Sequence, residues 1–233
     1  MKIIAIGDTH GKDVWKKIVE KEKDADKIIF IGDYWDSFDI PFKQQYNNFI
    51  DIVEFKQKNP EQVVLLFGNH DYHYMTDGER YSGFQDAAAV PIYDIIEAAL
   101  NDNLMQMAYF VKDNNECYLF THAGLTFTWA DKNLERGWEI DYIINKTFKV
   151  NPGAFKFTPS TNLDNYGDSI TQSPIWVRPR ALKSDAPSGF TQVVGHTKFK
   201  GIQIEDGFIF IDCLDYKDEY LIINDGVPLI GTV

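Results

Sequence analysis

Four of the five histidines in this 233-residue chain sit in short turns that contain glycine: His10 in Gly7-Asp8-Thr9-His10-Gly11, His70 in Gly68-Asn69-His70-Asp71, His122 in His122-Ala123-Gly124-Leu125 and His196 in Gly195-His196-Thr197. A fifth turn, Gly32-Asp33-Tyr34-Trp35-Asp36, carries carboxylates alone. Asp, His and Asn make a donor set suited to a hard or borderline divalent cation, and one carboxylate can bridge two such ions. Glycine lets the backbone bend sharply and aim the next side chain. Taken singly, each feature has an ordinary explanation: an Asp-x-His after a strand caps a turn, Asn69 is a turn residue, and His122 is a hydrogen-bonded core histidine. Five such turns in one chain argue instead for a shared metal site. Only His73 lacks a place in that scheme.

These side chains can meet only if the fold delivers them to one edge. The apolar runs Lys2 to Gly7, Lys27 to Gly32 and Gln62 to Gly68 read as strands, and the stretches from about Lys12 to Lys23 and from Phe42 to Lys58 have helical periodicity. This alternation predicts an α/β fold with parallel strands and helices on their faces. Open α/β sheets bind ligands beyond the C-terminal ends of their strands. Asp8 and His10 follow the first run, Asp33 and Asp36 the second, and Asn69 and His70 the third. His122 follows a run from Cys117 to Thr121, and His196 one from Gln192 to Gly195.

Elsewhere the pattern is weaker. A polar, aromatic loop (Tyr72 to Ser82) precedes a helix from about Gln85 to Asn101, which Pro91 should break or kink. Strands are expected at Met105 to Val111 and Cys117 to Thr121 with a hairpin turn between them, and a helix at about Leu134 to Lys149. The segment 126–189, rich in Pro, Gly, Ser and Asn towards its end, reads as loops bordering the site. Gly201 to Glu205, Phe208 to Cys213 and Glu219 to Ile223 read as strands, with Asp206-Gly207 as a hairpin turn. The length suits a single domain spanning residues 1–233.

The bulk composition narrows the function classes. A net charge of −12 argues against long nucleic acid as a partner, because phosphate-backbone affinity comes from clustered Lys and Arg. Some of that acidity is then surface, and some is ligand charge to be cancelled by cations. A 44% hydrophobic and 15% aromatic content leaves little room for long disordered segments. Cys117 and Cys213 lie in apolar runs and read as small buried hydrophobes. No apolar run reaches membrane-spanning length and the first motif begins almost at Met1, so no membrane and a cytoplasmic location are expected.

Together the five motifs resemble the calcineurin-like metallophosphoesterases, and among them the phosphoprotein phosphatases of phage and bacterial type. The order and spacing of the motifs match as well as their residue types, across nearly the whole chain. Arg80-Tyr81-Ser82-Gly83-Phe84 and Trp176-Val177-Arg178 are weaker echoes of that branch. The resemblance implies a β-sandwich of mixed sheets flanked by helices, with two divalent metal ions at the strand ends. Asp8 and His10 would hold the first, Asn69, His122 and His196 the second, and Asp33 would bridge them. His70 would be the general acid, oriented by Asp36. Manganese is the favoured cation, with iron and zinc suited to the same donors.

Two positions depart from the family's pattern. Lys198 stands where many relatives have a second histidine, a difference usual in the protein phosphatase branch. Ser37 stands where an arginine commonly clamps the substrate phosphate, which transfers that task to Arg178 first, then Arg80 and Arg180. The implied reaction is in-line attack on a phosphomonoester by a hydroxide bridging both metals, with phosphorylated Ser or Thr in proteins among the leading substrates. A dinucleoside polyphosphate hydrolase is the alternative enzyme. A non-catalytic metal-binding scaffold is the alternative outside enzymes.

Overall fold

The unbroken apolar character of the first three runs has a direct structural counterpart: each of these strands is buried on both faces, against two different cores. In the computed structural model, which describes residues 1–76, 80–137, 139–158 and 167–233, the strands β1 (Lys2–Ile6), β2 (Lys27–Phe30) and β3 (Val63–Leu66) are parallel neighbours. Ile4, Ile6, Ile28, Phe30, Val63 and Leu65 turn to one side. There they pack under α1 (Trp15–Lys21), α2 (Phe42–Lys58) and, beyond the single-turn α3 (Asn69–Tyr72), α4 (Ala89–Asn101) through Trp15, Ile18, Phe49, Ile52, Ile92 and Ile96. Ile3, Ala5, Ile29, Ile31, Val64 and Leu66 turn to the other side and meet a second sheet. A slip of one residue in any of these strands would exchange the two sets.

The first sheet has six strands in the order β11-β10-β1-β2-β3-β4, with β10 (Glu219–Asn224) and β11 (Val227–Thr232) antiparallel at its edge and β4 (Met105–Gln106) at the other. The second has five, in the order β5-β6-β7-β9-β8: β5 (Ala108–Asp113), β6 (Glu116–Thr121), β7 (Thr191–Val194), β9 (Phe208–Phe210) and β8 (Gln203–Glu205). Within it β6, β7 and β9 are parallel. Val111, Tyr118, Phe120, Val193, Ile209 and Ile211 fill the space between the sheets. The outer face of the second sheet is covered by Val177, Ala181 and Leu182, the last two on α7 (Pro179–Ser184). Two mixed sheets flanked by helices give the expected α/β sandwich.

Three local expectations are corrected. The run from Met105 to Val111 is two strands: the chain leaves the first sheet after Gln106 and enters the second at Ala108, with Met107 fully buried at the switch. The Asn145 side chain satisfies the backbone there, accepting from Met107 N (2.7 Å) and Ala108 N (3.0 Å) and donating to the Ala108 carbonyl (2.9 Å). Pro91 does not kink its helix. A 3₁₀ turn covers Asp86–Ala88 and the α-helix begins at Ala89, so Pro91 falls in the first turn, where a backbone N–H would have had no intrahelical acceptor and none is missed.

The segment 126–189 holds more helix than its composition suggests. α5 (Phe127–Asn133) is capped by the Thr126 hydroxyl, which accepts from Trp129 N (3.3 Å), and α6 runs from Ile140 to Val150 in place of Leu134 to Lys149. Residues 77–79 of the expected polar loop, residue 138 of the expected helix and residues 159–166 of the loop-rich segment lie outside the described residues. Among the described residues no helix is long and apolar enough to cross a membrane.

Candidate metal centre

Parallel strands of both sheets end at the same rim, and the turns that leave them carry the polar residues. Four of these residues are held with left-handed backbone although none is glycine: His10 (φ 43°), Asp33 (φ 55°), Asp36 (φ 70°) and His196 (φ 63°). Such conformations cost free energy and persist where surrounding structure over-determines them, which is typical of functional sites. Here Asp71 does much of the determining. Its buried carboxylate accepts backbone N–H bonds from Asp33 (3.0 Å), Tyr34 (3.0 Å) and Gly68 (2.8 Å), tying the turn after β2 to the turn after β3.

Two triads form around a shared carboxylate. Asp8, His10 and Asp33 bring a ligand atom each within 4.8 Å of one another, as do Asp33, His122 and His196. Asn69 completes the second group: its Oδ1 lies 3.0 Å from His122 Nε2 and 2.8 Å from His196 Nδ1, and His122 Nε2 is 3.2 Å from Asp33 Oδ2. All six residues expected to hold metal are therefore brought to one place.

Backbone carbonyls decide which ring nitrogens face the cage. The carbonyls of Trp35, Ile31 and Trp176 lie 2.5 Å from His10 Nδ1, 3.0 Å from His122 Nδ1 and 3.1 Å from His196 Nε2. A carbonyl can only accept, so each of these nitrogens carries the proton and the other presents its lone pair to the cage. Burial lowers His10 to about 4, and burial together with the nearby Arg178 guanidinium lowers His196 well below the usual histidine range. Neutral imidazole is the form that ligates metal.

The carboxylates tell the same story through their charge. Burial, then repulsion from Asp212 and Asp33, raises Asp8 well above the usual carboxylate range. Asp33 is equally buried, yet the His122, His70 and His10 rings hold it down. Asp212, two residues past β9 and 3% exposed, is pushed up to about 6, chiefly by burial, and its Oδ2 has no hydrogen-bond partner among the described residues. Three buried carboxylates with an orphaned oxygen are costly unless cations neutralise them. The donor set therefore fits divalent metal ions.

His70 differs from the other three histidines. Its Nδ1 contacts the Asp36 carboxylate at 2.8 Å rather than a carbonyl, and 20% of its side chain is exposed against none for His122. Although burial works against the charged form, Asp33 and Asp36 raise its pKa. Asp36 is a hub: Tyr74 donates its hydroxyl to Oδ1 at 2.5 Å, and His73 Nε2 lies 2.7 Å from Oδ2. His73, unplaced by the sequence, is buried behind this dyad, with its ring parallel to Tyr81 and edge-on to Phe84.

A cavity of about 460 Å³ opens over these residues, lined by Asp8, His10, Asp33, Asp36, Asn69, His70 and His196, and also by Lys12, Ser37, Arg178, Lys198, Asp212 and Asp215. Arg178 donates from Nη1 to the His196 carbonyl (3.0 Å) and the Thr197 hydroxyl (3.1 Å). Arg80 and Arg180 do not line this cavity. They pair with Asp86 and Asp168, because those carboxylates lie closer in the fold.

The matched sequence stretch agrees with the geometry. The family model for calcineurin-like phosphoesterases matches residues 1–207. The chain belongs to that family. A cold-active protein-tyrosine phosphatase of a psychrophilic Shewanella species is similar in fold (TM-score 0.64, 18% identity, covering 99% of this chain and 77% of that one). So is a protein serine/threonine phosphatase from Saccharomyces cerevisiae with similarity to human phosphatase PP5 (TM-score 0.62, 16% identity, covering 100% and 80%). No curated protein matches the chain. As a calcineurin-like phosphoesterase the protein is a metal-dependent hydrolase of phosphate esters. The match stops one residue before β9, which leaves Asp212 outside the motifs. Its signal in the sequence is a carboxylate inside the apolar run Phe208 to Cys213, at the exit of a parallel strand.

Proposed function

We propose that this phosphoesterase is a two-metal phosphomonoesterase. Asp8 and His10 would hold one cation, Asn69, His122 and His196 the other, and Asp33 would serve both. The observation that carries this reading is the division among the histidines: His10, His122 and His196 are fixed by carbonyls, whereas His70 is fixed by a carboxylate and biased towards imidazolium. When bound, the cations supply Lewis acidity towards the phosphoryl oxygens and a water nucleophile of lowered pKa.

The chain's own groups perform the remaining steps. His70 protonates the departing ester oxygen from the cavity side, and Asp36, held by the Tyr74 hydroxyl, keeps the ring oriented and favours its charged form. Arg178 binds the phosphoryl group. Attack is in line and direct, without a phosphoenzyme. Neither cysteine lines the cavity, and burial first of all pushes the Cys213 thiol up to about 12. Ser37 Oγ is occupied in its own turn, accepting from Asp39 N (3.3 Å) and Ile40 N (3.1 Å).

Manganese is the cation we favour, and phosphorylated Ser or Thr side chains are the substrates. Both follow from the likeness of the motifs to phage and bacterial protein phosphatases. Metal analysis of protein dialysed against chelator and then reloaded with manganese tests the centre. Two ions per chain and restored hydrolysis of p-nitrophenyl phosphate are expected; fewer than two ions and no turnover would leave a scaffold. Phosphopeptides assayed beside diadenosine tetraphosphate test the substrate class, and faster turnover of the dinucleotide would replace it.

A further inference from the structure

We infer that Lys12 and Lys198, held together by Asp215 at the mouth of the cavity, form the anion clamp that receives the substrate's phosphoryl oxygens. This rests on the phosphoesterase reading above and adds the residues that bind its substrate. Ser37 carries no charge, and Arg80 and Arg180 lie outside the cavity. Among the described residues, the lysine and arginine side chains that line it are Arg178, Lys12 and Lys198.

The two lysines come from different parts of the chain. Lys12 follows the turn after β1, Lys198 follows the turn after β7, and Asp215 lies in the loop after β9. Both ammonium groups reach the same carboxylate, Lys12 Nζ at 2.5 Å from Oδ1 and Lys198 Nζ on Oδ2. One carboxylate between two ammonium groups leaves a positive charge uncompensated. All three side chains remain open to solvent, at 25%, 47% and 31% exposure, so an incoming anion can reach them. Exposed ion pairs contribute little to stability, which leaves this one free to exchange partners.

Charge balance shows why the lysines matter. Among the described residues the cavity is lined by six aspartates, Asp8, Asp33, Asp36, Asp39, Asp212 and Asp215, against Lys12, Lys198 and Arg178. Two divalent cations offset four of these negative charges, and the two lysines add two more positive charges at the mouth through which a phosphate dianion must enter. Lys198 lines the same cavity as Asp8 and Asp212. In the bound state phosphoryl oxygens take the place of Asp215 between the two ammonium groups, and no covalent bond is made or broken.

The test uses manganese-loaded full-length protein and two readouts: calorimetric binding of inorganic phosphate, and kcat and KM for p-nitrophenyl phosphate. The double variant K12M/K198M should weaken phosphate binding about tenfold or more and raise KM more than it lowers kcat, because charge-assisted hydrogen bonds are lost. Asp215→Asn should act in the opposite direction, tightening phosphate several-fold by releasing both lysines. Wild-type phosphate affinity in the double variant, or unchanged or weaker affinity in Asp215→Asn, would overturn the clamp. Metal stoichiometry and circular dichroism confirm that each variant is folded and loaded. A wild-type protein that binds phosphate but turns over no ester would refute the functional reading and leave the clamp standing.

Discussion

A methyl group added at Gly195 should disable the metal centre while sparing the fold. An added Cβ would lie 2.0 Å from Asp8 Oδ1 and 2.8 Å from Ile31 Cγ2. Gly195 is not among the residues with left-handed backbone, so the clash is the whole effect of the Gly195→Ala substitution. The Asp8 carboxylate is pinned by His196 N, 3.0 Å from Oδ2 and 3.3 Å from Oδ1, and must move by about 1 Å or more to regain van der Waals distance. Metal sites tolerate shifts of about 0.2 Å in ligand distance, and even the loss of a group that only orients a ligand typically costs about 10–100-fold in affinity. At a metal concentration one hundred times the wild-type Kd, binding stabilises the wild type by about 2.7 kcal/mol and a hundredfold weaker variant by about 0.4 kcal/mol. For a domain of this size that corresponds to a metal-induced rise in Tm of about 5–11 °C in the wild type and about 1–2 °C in the variant. Thermal melts with and without manganese read both numbers. Gly207→Ala is the control: it has left-handed backbone (φ 75°) and open space around it, so it should lose about 1–2 kcal/mol with its metal-induced shift intact. An unaltered shift in Gly195→Ala would refute the packing argument.

Three further outcomes follow from the geometry. His70→Asn should lower kcat on p-nitrophenyl phosphate by about 10²–10⁴-fold with two metals still bound, and wild-type turnover would remove the ring from the reaction. Asp71→Ala strands three buried N–H groups and should destabilise the protein by about 3–5 kcal/mol in urea melts; a loss below about 1 kcal/mol would show that water replaces the carboxylate. Burial works to raise Asp215, but Lys12 and Lys198 outweigh it and hold the acid at about 2. A depressed acid contributes stability that is complete above the ordinary value near 4 and vanishes as pH falls through about 2. The Tm gap between wild type and Asp215→Asn should therefore be constant above pH 4 and close between pH 4 and 2. A gap that widened over that window would contradict the sign.

The strands that matter most were legible because their pattern is redundant. β1, β2 and β3 are buried on both faces and read as unbroken apolar runs, and α2 has the limits that its periodicity predicts. The six metal-side residues and the Asp36–His70 pair could be found because short turns with glycine tie residue type to position. What escaped has a physical reason in each case. Met107 is an apolar residue among apolar residues, and nothing local tells it that Asn145, 38 positions later, will satisfy a change of sheet. Asp212 stands in a run read as a plain strand, and its importance arises only when β9 pairs beside β7. His73 is three residues from His70, so helical geometry carries both towards Asp36, a spacing visible in the sequence but silent until Asp36 is placed. The motif ranks Arg178 ahead of Arg80 and Arg180, but only the fold shows the latter two engaged elsewhere, Arg80 by Asp86 in a 3₁₀ turn and Arg180 by Asp168.

The ligands are mounted on two separate layers. Asp8, His10, Asp33 and Asn69 ride on the strands of one sheet, while His122, His196 and the neighbouring Asp212 ride on the other. The width of the cage is therefore a readout of the spacing between the layers, which apolar side chains such as Ala5, Val193 and Leu221 set from within. Enlarging or shrinking one of those fillers, far from any donor atom, would open or close the jaws of the centre like a caliper. Selection could tune cation preference there without altering a single ligand.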